Sequence, residues 1–295
     1  MPFHFQTFRT RALTAIIFAA VMLAGLLWNT WSFTILFCII HIGCWWEYRK
    51  LIALSTKSFI PLSVLLLLLL GGYVLIYVLS FSAYTENLLP QYRLTHIVTW
   101  AGMVIILLLA IRDKRLTMTA RSYLLLGFFY ISLPIALFIH LRTNNWFGPS
   151  TAMGSPASLI TIGVIFSIWI NDTMAYITGS FLGKTPLSPI SPKKTWEGTI
   201  GGALLCVGIV ALLALLPVAR VLPVGFWIGL AAVSAISGTL GDLWESKLKR
   251  MSGVKDSGSF MPGHGGFLDR FDSLLFAATC AWLYCLVFHA LSNSL

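Results

Sequence analysis

Residues 60–80 read IPLSVLLLLLLGGYVLIYVLS, an unbroken apolar run without a single charge. A hydrocarbon core about 30 Å thick needs about 20 apolar residues of helix to cross it, so this stretch is long enough to span a bilayer. Runs of the same kind recur from one end of the chain to the other. Of 295 residues, 58% are hydrophobic, 10% are charged, and mean hydropathy is +0.85. Soluble domains carry about a quarter charged residues, and disordered chains carry few apolar ones, so both classes are excluded. The hydrophobicity reflects contact with lipid, and the chain reads as an all-α, polytopic integral membrane protein.

Nine segments qualify as spans: residues 12–28, 31–46, 60–80, 94–111, 123–141, 159–180, 198–216, 224–240 and 271–291. The first two are short and joined only by Asn29 and Thr30, which predicts a tight helical hairpin. With a cytoplasmic N-terminus, nine crossings place all 20 basic residues inside except Arg93, Arg142 and Arg220, and the C-terminus outside. This asymmetry accounts for most of the net charge of +10 without a nucleic-acid partner. The five cysteines fall in apolar runs with no CxxC, so neither disulfides nor a zinc site is expected. The first apolar run follows Arg9 and Arg11 and reads as a retained span, because no Ala-x-Ala-like site follows it.

Acidic residues are unevenly distributed. Seven of the ten, Asp172, Glu197, Asp242, Glu245, Asp256, Asp269 and Asp272, lie in the last 125 residues, at the predicted cytoplasmic ends of spans six to nine. The chain therefore divides into a scaffold, residues 1–158 with about five helices, and a catalytic region, residues 159–295 with about four.

Three stretches of that second region carry candidate chemistry. Residues 172–201, DTMAYITGSFLGKTPLSPISPKKTWEGTIG, begin with an ionisable residue near the end of a span, a functional candidate because its desolvation is costly. Pro186, Pro189 and Pro192 keep the following loop out of helix and present Lys193 and Lys194 at the start of the next span. The plainer reading is a basic loop on anionic headgroups, with Ser191 or Thr195 capping the next helix. Residues 241–250, GDLWESKLKR, predict an N-cap at Asp242 with Glu245 as its capping-box partner, opening a short interfacial helix. Residues 255–272, KDSGSFMPGHGGFLDRFD, form a Gly- and Pro-rich loop whose backbone suits close approach to phosphate oxygens. Asp269 and Asp272 follow it, three apart, as hard oxygen ligands for Mg²⁺ or as ordinary first-turn acids. His264 reads as a residue that orders the loop.

Carboxylates, cations and exposed backbone on one membrane face are what phosphoryl or nucleotidyl transfer requires. A site at that interface implies a lipid substrate. Transport sites lie near the bilayer midplane, often between repeats, and no repeat is visible here.

Residues 246–272, SKLKRMSGVKDSGSFMPGHGGFLDRFD, resemble the signature of the CDP-diacylglycerol synthase family, the phosphatidate cytidylyltransferases. That pattern is Ser-x-hydrophobic-Lys-Arg, four residues, Lys-Asp, then Pro-x-His-Gly-Gly, a hydrophobic, any residue, and Asp-Arg-hydrophobic-Asp. Met261 departs from the usual Ile, Leu or Phe, and Thr173 and Met174 replace smaller residues after Asp172. The stretches around Asp172, Ser191–Gly198 and Gly241–Ser246 are also similar.

The resemblance implies conversion of CTP and phosphatidate to CDP-diacylglycerol and pyrophosphate. It implies a metal site of Asp242, Asp269 and Asp272 holding Mg²⁺ and a nearby K⁺, with Ser246 beside it. Lys194, Lys249, Arg250, Lys255 and Arg270 are the implied cations for the triphosphate and the lipid phosphate, with Lys255 counted among the catalytic groups, and Asp172 is a further polar anchor. A CTP-dependent lipid or polyprenol kinase, or a paralogue acting on another acidic lipid, is the competing reading. Expected surroundings are the inner membrane of a bacterium with the site facing the cytoplasm, membrane lipids as neighbours, and a homodimer as the assembly common for such bundles.

Overall fold

The computed structural model describes residues 5–80, 92–148, 154–260 and 265–294. The expectations for Met261 and His264 fall outside the described residues. The described elements are all helical: α1 (Phe5–Leu27), α2 (Thr30–Thr56), α3 (Leu62–Ser80), α4 (Tyr92–Ile111), α5 (Met118–Gly127), a π turn (Phe128–Ser132), α6 (Leu133–Thr143), α7 (Pro156–Leu182), α8 (Trp196–Leu213), a 3₁₀ turn (Pro217–Ala219), α9 (Val224–Met251) and α10 (Leu268–Ser292). A lone β-bridge pairs Pro186 with Thr195. All five cysteines are free.

Each of the nine apolar segments falls on a helical rod, with α5, the π turn and α6 forming one rod from Met118 to Thr143. Among the described residues six rods are long and apolar enough to cross a membrane: α3, Met118–Thr143, α7, α8, α9 and α10. Shorter apolar helical stretches run over Leu13–Leu27 and His96–Ile111. Helix α2 differs because its apolar run ends at Trp46, and Glu47, Arg49 and Lys50 follow on the same helix. Asn29 caps α2, its side chain accepting from the Ser32 amide at 2.8 Å while the Ser32 hydroxyl accepts from the Asn29 amide at 3.0 Å.

One expectation is overturned. Asp242 opens no helix, because α9 runs unbroken from Val224 to Met251 and places Asp242 and Glu245 in its interior. The capping-box pattern needs a preceding chain break, and Ser237, Gly238, Thr239 and Leu240 supply none. The hydroxyls of Ser237 and Thr239 instead bond back to the carbonyls of Val233 and Ala235, four residues earlier, as helical residues in an apolar setting do.

By contacts the chain divides into two compact units, one of residues 1–139 with 248–271, the other of residues 140–247 with 272–295. The first has its core on α2, where Phe33, Phe37, Trp45, Tyr48 and Leu51 are buried with Phe138. Ser132, on the π turn, bonds His41 Nε2 and Trp45 Nε1, each at 2.9 Å, which satisfies polar groups that would be costly if left unpaired in apolar surroundings. In the second unit α7 and α8 pack through small residues. An ideal Cβ on Gly202 would lie 2.6 Å from the Cβ of Ala175, and one on Gly198 would lie 2.9 Å from the Gly179 Cα, so only glycine permits this approach.

Candidate functional site

The second unit builds its polar centre from α7, α9, the start of α10 and the loop between α7 and α8. Pro186, Pro189 and Pro192 hold residues 183–195 out of helix, as expected, and the loop folds back on itself. The Leu187 amide donates to the Lys194 carbonyl at 2.7 Å, and the Trp196 amide to the Thr185 carbonyl at 2.9 Å. Thr195 caps α8 by accepting from the Gly198 amide at 3.2 Å. Glu197, in the first turn of α8, accepts from the amides of Lys184 and Thr185, both at 3.1 Å. A carboxylate is favoured at a helix N-terminus, and here it also closes the loop.

That closure presents Lys194 to α9, where its ammonium pairs with Asp242 Oδ2. Ser246, one turn further along α9, donates to Asp242 Oδ1 at 3.3 Å. A cavity of about 640 Å³, a volume usual for small-ligand sites, opens beside this pair. Asp172, Asn171, Tyr176, Lys193, Lys194 and Asp242 are among the residues lining it. Asn171 is buried, and its amide donates to Asp172 Oδ1 at 3.4 Å.

Carboxylate oxygens of Asp242, Glu245 and Asp272 all lie within 4.8 Å of one another. Glu245 has no solvent exposure and Asp272 is 9% exposed, so two of the three charges are removed from water. Carboxyl groups this close and this buried are held together by a cation or by a shared proton. Position 241 makes the convergence possible, since a Cβ there would collide with the Asp272 carbonyl oxygen and force α10 away from α9.

The first unit holds a second polar cluster. Asp269 Oδ2 accepts from the Ser257 amide at 2.9 Å, the Ser257 hydroxyl at 2.9 Å and the Gly266 amide at 2.8 Å, and Oδ1 accepts from Lys249 Nζ at 2.8 Å. Glu47 of α2 is buried beside it. Its Oε2 shares the single Ser257 hydroxyl proton, at 2.8 Å, with Asp269 Oδ2 and accepts from the amide of Leu268, the first residue of α10, at 2.9 Å. Bonds of this charged kind contribute about 1.5–3 kcal/mol each, and the second one caps an otherwise unsatisfied donor of the helix start. A Cβ on Gly258 or Gly266 would collide with the Glu47 carboxylate, and one on Gly265, where φ is +83°, would lie 2.6 Å from Asp269 Oδ2. The oxygens that approach these glycines most closely are thus the protein's own carboxylates. Arg250, Lys255 and Arg270 are exposed in the same unit.

Asp242, Asp272, Asp172, Lys194 and Ser246 thus belong to the second unit, where Asp242 meets Asp272, Lys194 and Ser246. Asp269 and Lys249 are paired in the first. The sequence reading missed two residues. Glu245 had a signal, because it lies three residues after Asp242 and shares its helix face. Glu47 had a weaker one, an acid at the end of an apolar run.

The chain was compared with known proteins. Residues 9–288 match the model of the cytidylyltransferase family. A phosphatidate cytidylyltransferase of Synechocystis sp. is 36% identical over 219 residues, which are 66% of this chain and 72% of that protein. Phosphatidate cytidylyltransferase 5, chloroplastic, of Arabidopsis thaliana is 35% identical over 204 residues, 63% of this chain and 50% of the relative. That of Staphylococcus aureus (strain COL) is 51% identical over 110 residues, 37% of this chain and 42% of the relative. The chain thus spans half or less of the length of the last two relatives. With a match covering nearly its full length, and polar residues of the second unit converging as described, the chain belongs to the cytidylyltransferase family.

Proposed function

We propose that this protein is a membrane-embedded phosphatidate cytidylyltransferase, joining CTP and phosphatidate to give CDP-diacylglycerol and pyrophosphate. The observation that carries the reading is the convergence of Asp242, Glu245 and Asp272 next to Lys194 and an open cavity. The relatives' names supply the substrates.

The donor set suits Mg²⁺, a hard cation that takes carboxylate oxygens and keeps positions for water and phosphates. Asp242, Glu245 and Asp272 would hold it, and the Lys194 ammonium already occupies one of those oxygens as a cation would. Asp269 is the further ligand that the resemblance implies, and K⁺ is implied on the same ground. Bound there, Mg²⁺ would neutralise charge on the triphosphate as pyrophosphate departs.

The chain's own groups supply the rest. Lys194, with Lys193 beside it, offers positive charge at the cavity wall to phosphate oxygens. Asp172 and Asn171 offer polar anchors on the opposite helix. The attacking group is the phosphate oxygen of phosphatidate, already ionised near neutral pH, so the attack on the α-phosphorus needs no general base. Lys249, Arg250, Lys255 and Arg270 are the further cations that the resemblance implies for the substrates, and His264 is carried with them on the same ground. We further propose nine crossings with the N-terminus cytoplasmic and the C-terminus outside, a scaffold in residues 1–158 and a catalytic region in 159–295. The site then faces the cytoplasm from a bacterial inner membrane.

The test is direct. Purified protein with Mg²⁺ and radiolabelled CTP is expected to convert phosphatidate, among a panel of acidic lipids, to a cytidine-bearing lipid with release of pyrophosphate. Asp272→Asn is expected to abolish turnover while the protein stays folded in detergent. Release of CDP with a phosphorylated lipid would establish the kinase reading instead, and wild-type turnover by Asp272→Asn would remove that residue from the site.

A further inference from the structure

We infer that Glu47, on α2, is a positioning residue that holds Ser257, Leu268 and Asp269 in the geometry used for turnover. The inference rests on the reaction proposed above and adds to it a residue of the N-terminal half.

Glu47 is 4% exposed, and a carboxylate so placed persists only where donors converge on it. They come from both flanks of the loop, the Ser257 hydroxyl on one side and the Leu268 amide on the other. Gly258 and Gly266, one on each flank, leave the space that the carboxylate fills. Neither has a positive φ, so close approach by Glu47, not backbone conformation, is what requires glycine there.

The coupling to Asp269 runs through Ser257. Its hydroxyl lies 2.8 Å from Glu47 Oε2 and 2.9 Å from Asp269 Oδ2, and its amide donates to the same Asp269 oxygen. A further link is the Leu268 amide, since Leu268 precedes Asp269 on α10. Removing Glu47 therefore loosens two of the groups that fix Asp269. Lys249 and Gly266 would still bind it, so the fold should survive while the geometry blurs. Sub-ångström misplacement of a reacting constellation lowers turnover strongly even when no reacting group is lost.

The experiment uses the full chain in detergent, comparing wild type with Glu47→Ala, Glu47→Gln and Ser257→Ala. Hydrogen–deuterium exchange is read on peptides covering residues 252–260 and 265–270, without substrate, and CTP turnover is measured separately. Glu47→Ala is expected to speed exchange in these peptides at least tenfold and to lower kcat at least tenfold, with KM for CTP changed less than threefold. Glu47→Gln, which keeps an acceptor for Leu268, is expected to restore much of both. Ser257→Ala is expected to reproduce the fall in kcat with both carboxylates still present, and the double variant to be no worse than Glu47→Ala alone. Unchanged exchange in both Glu47→Ala and Ser257→Ala overturns the proposal. Faster exchange with turnover within twofold of wild type overturns it equally, because the loop's geometry would not then matter to the reaction. Absence of any CTP-derived lipid from the wild type overturns the reaction proposed above instead, which the wild type alone decides.

Discussion

Glu245 has no exposed surface, yet it shares its immediate surroundings with two other carboxylates. Three acids in such a place are stable together when a cation stands among them, and each carboxylate then adds to the affinity. Glu245→Gln removes one charge and keeps the side-chain volume. We expect it to raise the Mg²⁺ concentration for half-maximal turnover at least tenfold and to remove most of the Mg²⁺-dependent rise in melting temperature. A variant with unaltered Mg²⁺ dependence in both measurements would take Glu245 out of the ligand set. Such local partners were partly legible in the sequence. Asp242 and Ser246 are one helical turn apart, and Lys194 follows a proline-rich loop that has to end near a helix. Glu47 was not legible as a site residue. Its partners Ser257 and Leu268 lie 210 and 221 positions away, and no spacing rule reaches across that distance.

Helices α7 and α8 approach through glycine, alanine and threonine, and lipid offers no hydrophobic drive to hold them together. Close fit, together with the loop bonds of Glu197 and the Lys194–Asp242 pair, keeps Lys194 and Asp172 at one cavity. Gly202→Ala places a methyl group 2.6 Å from Ala175, and overpacking of this kind costs about 1–3 kcal/mol. We expect a clear fall in melting temperature in detergent together with lower turnover. Gly208→Ala on the same helix meets nothing within 4 Å and gains helix propensity, so it should be neutral or mildly stabilising. Equal effects of the two would refute the packing argument. The helices themselves were readable from apolar run length. The continuation of α9 beyond residue 240 was not, because a polar amphipathic stretch after a span looks the same whether a new helix begins or the old one continues. Only hydrogen bonding in the folded chain distinguishes the two, and it shows continuity to Met251.

Among the described residues six rods meet the length and composition demands of a bilayer crossing, α1 and α4 contribute the apolar stretches Leu13–Leu27 and His96–Ile111, and α2 is interrupted by charge. The proposed arrangement of nine crossings follows from where lysine and arginine fall along the chain. It is checked by replacing the five native cysteines and introducing single ones at Lys255 and Ser294. In intact cells a membrane-impermeant maleimide is expected to label Ser294→Cys, and to label Lys255→Cys only after lysis. The reverse pattern would invert the orientation. Composition made the helical membrane class legible, and the 246–272 stretch made the family legible. The division into two units was not, because residues 248–271 join α2 and its neighbours through contacts that local sequence does not encode.

At Gly241 it is the main chain of α9 that meets the main chain of α10, at the carbonyl of Asp272. The spacing of the acids is therefore inherited from two backbones and owes little to any rotamer. Substitutions at exposed positions such as Leu240 are expected to leave that spacing intact. Position 241 has no such latitude: the smallest side chain there acts as a wedge, and no compensating change elsewhere on either helix can make room for it without moving the acids apart.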